Sequence, residues 1–321
     1  MSGPLLTRRA FGGLAAGGAA LMLAGCGGSR FAADGTPKYL VSGFSVLETN
    51  PARIGSLKNY ETVIGQELGI PLRSFRASGY SGVALAMMND QIDFGIMGPA
   101  NYATIKKEMG DAVDAPLTMM ESDGRTTYVS VIFVKSSSDI RSLDDLRGKT
   151  MAFADVNSAS GYLIPRYYLR KEGKDPNAFF SRYIFAGGHE QAVSSVLTGT
   201  TDAGVTWASG VGDVAEGFTR GILRRMVRAG SLDMKDIRIV WTSGPIPNGP
   251  FVMRTRMPPD LHKRIIDAHI KLRDIDRGAF EALTGGQGQG FVPAPPGFYD
   301  VIFEIKRESG GLVPAYAVAT A

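Results

Sequence analysis

The sequence predicts an α/β protein folded as two similar lobes joined by two hinge crossings, with a ligand held in the cleft between them. Short apolar runs alternate with amphipathic stretches along almost the whole chain, the pattern of helices covering a largely parallel sheet. That pattern occurs twice in the same arrangement. Two long extended runs, 127–134 and 237–242, stand where the chain would leave one lobe and return to it.

The first residues belong to export. Thr7-Arg8-Arg9-Ala10-Phe11 leads into an apolar run over 14–24 that closes on Leu23-Ala24-Gly25-Cys26. The run is shorter than the roughly 18 to 20 residues that cross a bilayer, so 1–25 is read as a secretory signal peptide. The paired arginines resemble a twin-arginine (Tat) signal, and Leu-Ala-Gly-Cys resembles a bacterial lipobox, which makes Cys26 the expected lipidated residue of a membrane-anchored lipoprotein. Residues 26–37, rich in Gly, Ala and Ser, are the expected tether.

Residues 38–321 exceed one ordinary core and are expected to divide, with lobe 1 built from 38–127 and 250–321 and lobe 2 from 128–249. In lobe 1 the periodicities predict a strand over 39–44, a helix over 53–68, a strand over 72–75, a helix over 82–89 and a strand over 92–97. A helix then begins at Gly98-Pro99, because proline suits a first helical position. In lobe 2 they predict a strand over 150–154, a helix from Ser160 to about 170, a strand over 182–185, a helix over 190–197 and a strand over 202–206. After Phe251-Val252-Met253-Arg254 a helix over 258–273, a flexible loop over 285–290 and a last helix over 296–305 complete the chain.

Composition excludes several functions. Cys26 is the only cysteine, so the fold has no disulfide, thiolate metal cluster or cysteine nucleophile. The formal charge of +4 falls to +2 when Arg8 and Arg9 leave with the signal, and no basic stripe suggests nucleic acid. The most basic stretch, 220–228 with Arg220, Arg224, Arg225 and Arg228, reads as a solvated helix face. No histidine pair with a carboxylate has metal-ligand spacing, His262 and His269 are expected on the surface, and no cofactor is implied.

Asp155-Val156-Asn157-Ser158-Ala159-Ser160-Gly161-Tyr162 says most about function. It reads as a strand end whose small hydroxyl residues open a helix. A helix start leaves backbone N–H groups unpaired and carries partial positive charge, so this turn suits a small oxyanion, although ordinary serine capping explains the same residues. Glu48 and Thr49, ending the first strand, and Trp207, ending the last strand of lobe 2, are expected to face the cleft. Tyr102 and Asn101 open a helix and are candidates for ligand contact or for capping.

Several segments together resemble the periplasmic phosphate, phosphite and phosphonate binding proteins of ABC importers. They include Asp93-Phe94-Gly95-Ile96-Met97-Gly98-Pro99, Asn157-Ser158-Ala159-Ser160-Gly161-Tyr162, Ala186-Gly187-Gly188-His189-Glu190 and Trp241-Thr242-Ser243-Gly244-Pro245-Ile246-Pro247, in the family's order across nearly the whole mature chain. The resemblance implies a type II periplasmic binding fold. It also implies that Ser158 and Ser160 donate hydroxyls to the anion, that the N–H groups of Ala159, Ser160 and Gly161 complete the cradle, that Tyr80 closes from lobe 1 and that His189 faces the same oxygens. Ala159 stands where threonine is frequent. Relatives that take aminoalkyl phosphonates hold the ammonium with two carboxylates, and the matching positions here, Ser209 and Gly249, carry no charge.

The expected protein is therefore a monomeric receptor that captures phosphate, phosphite or a small phosphonate by lobe closure and presents it to an ABC permease, without catalytic residues. A sensory receptor for the same anion is the alternative within binding proteins. A hydrolase using Ser160 with His189 would need an acidic orienter and a nucleophile elbow, and neither serine sits in a glycine-x-serine-x-glycine motif.

Overall fold

The structure is a computed structural model that describes residues 30–32, 36–45, 51–77, 79–284 and 288–309. The leader, Cys26, Glu48 and Thr49 lie outside the described residues. Among those described, no helix is long and apolar enough to cross a membrane.

Two six-stranded sheets organise the chain. In the first, β1 (Leu40–Ser45) pairs in parallel with β2 (Leu72–Ala77) and β3 (Phe94–Ile96). Three antiparallel strands extend it: β4 (Val113–Met120), β11 (Pro250–Arg254) and β12 (Gly290–Pro293), in the order β12-β4-β11-β3-β1-β2. The second sheet runs β10 (Ile246–Pro247), β5 (Thr127–Lys135), β8 (Ala203–Ala208), β6 (Thr150–Phe153) and β7 (Arg182–Phe185), and β9 (Ile237–Thr242) also pairs with β5. The chain therefore passes between sheets twice, from β4 to β5 and from β10 back to β11.

Both sheets are covered on two faces, as alternation along a strand requires. Phe251 and Met253 pack under α1 (Pro51–Leu68), α8 (Pro259–Ile275) and α9 (Arg277–Thr284), while Val252 between them joins the core beneath α2 (Tyr80–Met88) and α3 (Pro99–Met109). In β5, Val131 and Phe133 enter the core of α6 (His189–Leu197) and α7 (Ile222–Arg228), whereas Ile132 and Val134 enter that of α4 (Ile164–Lys171) and α5 (Pro176–Phe179). A fifth apolar cluster spans the halves: Ala100 and Ala103 of α3 and Ile302 and Ile305 of α10 (Asp300–Glu308) meet Ala159, Ile164 and Tyr167.

The structure departs from the sequence reading in several places: α9 and β12 are absent from that reading, and the last helix, expected over 296–305, runs Asp300–Glu308. The run 127–134 is no simple crossing but the hub of the second sheet, antiparallel to β8, β9 and β10. The strand β4 is absent from the reading because Asp114 and Pro116 disguise it; the register against β11 shifts opposite this proline, a bulge that tolerates its missing N–H. His269, expected on the surface, is fully buried against Phe94, Phe251 and Phe291, with its Nε2 3.0 Å from the Tyr60 hydroxyl and its Nδ1 2.7 Å from the Ile265 carbonyl. The basic stretch is not simply a solvated face either: Arg220 is 7% exposed, and Ile222, Leu223 and Met226 enter the core.

Candidate anion site

A cavity of about 170 Å³ lies between the two sheets, at the carboxyl ends of their parallel strands. Tyr80 opens α2 after β2, Gly98 and Pro99 follow β3, Ser158 to Ser160 follow β6, His189 opens α6 after β7, and Trp207 ends β8. Strand ends converge here because parallel strands point their terminal loops the same way. The two passages between the sheets, with the strand ends that flank them, add Met119, Glu121, Tyr128, Asn248 and Gly249. No lysine or arginine lines the cavity among the described residues.

The serine turn is built from within. Ser158 is extended (φ −82°, ψ 131°), and its Oγ accepts the N–H of Gly161 at 3.0 Å, so this hydroxyl is an N-cap. Gly161 thus spends its N–H on the cap and is not free to hold an anion, a correction to the cradle expected from the sequence. The residues Ala159–Leu163 form a π turn before α4, and as first residues of a helical turn Ala159 and Ser160 have N–H groups with no partner in a preceding turn. The carbonyl of Ser160 is pinned by Ser130 Oγ at 2.7 Å. A Cβ on Gly161 would stand 2.6 Å from Ala154 Cβ and 3.1 Å from His189 Cε1, so only glycine lets the turn and the imidazole approach this closely.

His189 is 8% exposed, with Nε2 3.3 Å from Ser158 Oγ and Nδ1 3.4 Å from Thr206 Oγ1. Burial, with a smaller push from Arg225, lowers its pKa to about 3, so the ring is neutral and has one N–H. Tyr80 comes from the first half and its hydroxyl engages the side chain of Ser158; burial nonetheless pushes its pKa up to about 12, which keeps it a hydrogen donor. Tyr128 engages Ser160 in the same way and is also raised by burial. Its ring meets Trp207 edge to face at 5.7 Å, closing the apolar wall.

Of the residues singled out in the sequence, Tyr80, Ser158, Ala159, Ser160, His189 and Trp207 all line this cavity. Tyr102 does not: it is buried against Tyr299 at 5.4 Å and Phe303 at 5.5 Å in the core of the first half. Its neighbour Asn101 donates from Nδ2 to the Tyr80 carbonyl at 2.6 Å and so positions a cavity residue without facing the cavity. Gly249 contributes a wall without a side chain, and Ser209 turns away to bond the Val211 carbonyl.

Sequence reasoning missed Tyr128, Asn248 and Glu121. Tyr128 is the second residue of β5, and Asn248 lies in the short link between β10 and β11. Glu121 directly follows β4 (Val113–Met120), so it stayed hidden with that strand. It brings a carboxylate to the cleft at a position other than Ser209 and Gly249: Glu121 is 2% exposed, lies 3.6 Å from Arg220 Nη1 and has an Oε2 without a hydrogen-bond partner. Burial raises its pKa, against the pull of Arg220.

Two α/β halves with two crossings and a small cavity at their strand ends, walled by aromatic rings and edged by hydroxyls, define a solute-binding protein of the type II periplasmic fold. The chain belongs to the family of ABC transporter, phosphonate, periplasmic substrate-binding proteins, whose model matches residues 52–297. It is 25% identical over 311 residues to the phosphate-import protein PhnD of Mycolicibacterium smegmatis, covering 91% of this chain and 93% of that protein. It is 27% identical over 206 residues to the phosphonates-binding periplasmic protein of Escherichia coli K12, covering 63% and 56%. The crystal structure of a binding protein component of an ABC phosphonate transporter from Pseudomonas aeruginosa superposes with a TM-score of 0.68 at 20% identity, covering 85% of this chain and 86% of that one. The protein is accordingly an exported, solute-capturing component of an ABC importer.

Proposed function

We propose that the cleft captures a compact phosphorus oxyanion, namely phosphate, phosphite or a small phosphonate without a cationic tail, and that the loaded receptor delivers it to an ABC permease. The observation that carries this reading is the lining of a cavity of only about 170 Å³ by hydroxyls of Tyr80, Tyr128, Ser158 and Ser160, one neutral imidazole and the free start of a helical turn. Hydrogen bonds to a charged group contribute roughly 1.5 to 3 kcal/mol each, so four or five support about micromolar binding or tighter after ordering costs. An aminoalkyl ammonium is disfavoured because, of the two positions that the resemblance matches to its carboxylates, Gly249 offers no side chain and Ser209 turns away to bond the Val211 carbonyl.

Residues 38–127 with 250–321 form one moving lobe in this reading and 128–249 the other. Cys26 carries the lipid that keeps the receptor at the membrane, 1–25 is a cleaved Tat-type signal, and the receptor acts as a monomer. No turnover accompanies binding: the hydroxyl nearest His189 Nε2 is that of Ser158, and the group on Nδ1 is the Thr206 hydroxyl where a catalytic triad has a carboxylate.

A thermal-shift and calorimetry screen of phosphate, phosphite, methylphosphonate, aminoethylphosphonate, sulfate and arsenate tests the cleft, because a ligand that binds the folded form raises its melting point. Phosphate, phosphite or methylphosphonate is expected to give the largest shift. Tight binding of aminoethylphosphonate with none of the smaller anions would overturn the reading. For the anchor, Cys26→Ser should move the protein from the membrane to the soluble fraction.

A further inference from the structure

Glu121 is shared by the cleft and a second, larger pocket of about 430 Å³ on the boundary between the two halves. This volume falls within the range usual for small-molecule sites, about 300 to 1,000 Å³. Six guanidinium groups line it. Arg220, Arg224, Arg225 and Arg228 come from the second half, in and just before α7; Arg273 and Arg277 come from the first, at the junction of α8 and α9.

The arginines are only partly matched. Arg224 pairs with Glu216 at 2.9 Å, Arg225 with Glu190 at 3.0 Å and Arg277 with Glu281 at 2.7 Å. Arg228 and Arg273 form no ion pair among the described residues. Arg220 stands 3.6 Å from Glu121 and 3.4 Å from Asp123, yet its buried Nε and Nη1, like Nε of Arg224, have no hydrogen-bond acceptor. Its place is fixed by the backbone: Ser209 N–H donates to the Arg220 carbonyl at 3.0 Å, and Gly221 (φ +115°) runs so close to β8 that a Cβ would lie 2.7 Å from Ala208 Cα. Arg224 and Arg228 recur one helical turn apart, about 6 Å along the axis.

We propose that this pocket is a second anion site, separate from the cleft, that takes a chain of linked phosphoryl groups. A single tetrahedral anion reaches few of these donors at once, whereas linked phosphates present oxygens along both rows, and guanidinium forks match phosphate oxygens in pairs.

The test is calorimetric titration of the mature protein with inorganic triphosphate. Saturable binding is expected. The double variant Arg228→Gln/Arg273→Gln, which breaks no ion pair among the described residues, should bind at least about tenfold more weakly, the size of one lost charged hydrogen bond, with an unchanged melting point in the absence of triphosphate. Ser160→Ala in the cleft should leave triphosphate binding unaltered. Absence of saturable binding, equal binding by the double variant, or loss of binding in Ser160→Ala would each overturn the proposal, the last by assigning the triphosphate to the cleft.

Discussion

Ser158 Oγ lies 3.3 Å from Nε2 of His189 while accepting the N–H of Gly161, so one hydroxyl joins the start of a helical turn to the start of a helix from the next βα unit. The two elements that follow β6 and β7 are thereby locked together at the cavity. Removing Ser158 would disturb the turn as well as any anion contact. Ser160 is the cleaner probe.

Ser160→Ala is expected to weaken binding of the cleft anion by about tenfold or more, the value of a charged hydrogen bond, with little change in melting temperature. Its carbonyl contact with Ser130 survives the substitution. Calorimetry and a thermal melt of the variant check both halves; an unchanged affinity would remove Ser160 from the site.

Gly161→Ala should destabilise by about 1 to 3 kcal/mol, because the new methyl overpacks against Ala154 and His189. Anion affinity should fall with it, since the turn must shift. Urea denaturation gives the stability. An alanine variant as stable as the parent would show that the turn has slack.

Acid should weaken the fold through its two buried histidines. Burial lowers His189 to about 3 and His269 to about 4, from 6.5. Between those values the unfolded chain binds more protons than the folded one, so stability rises with pH there; it is complete above 6.5 and is lost as pH falls toward 4 and 3. Denaturant melts across that range should show the slope, and His189→Gln should reduce it. A flat profile would contradict neutral burial of both rings.

Tyr60→Phe should cost about 1 to 3 kcal/mol, because it strips Ser42 Oγ, at 3.1 Å, and His269 Nε2, at 3.0 Å, of a buried partner. The site lies in the helical layer over the first sheet, so anion affinity should be unchanged. A loss of affinity at normal stability would instead connect this network to the cleft.

The α/β class and both βα sets were legible because their signals are local: apolar runs of strand length, a proline opening α3, glycines and serines at strand ends. Ser158, Ser160 and His189 sit beside such signals. Tyr102 does too, but its direction is decided by Tyr299 and Phe303, supplied from the far end of the chain. Glu121 was illegible because Pro116 and Asp114 hide its strand, whose bulge appears only against β11. Arg220 looked like surface because its partners Glu121 and Asp123 follow no periodicity along the sequence.

Hydroxyls, amides and an uncharged imidazole line the cleft, no lysine or arginine does among the described residues, and the carboxylate that reaches it, Glu121, faces Arg220. Mobile counter-ions screen fixed charges and have little to screen there. Loading of the receptor should therefore depend little on the salinity of the medium.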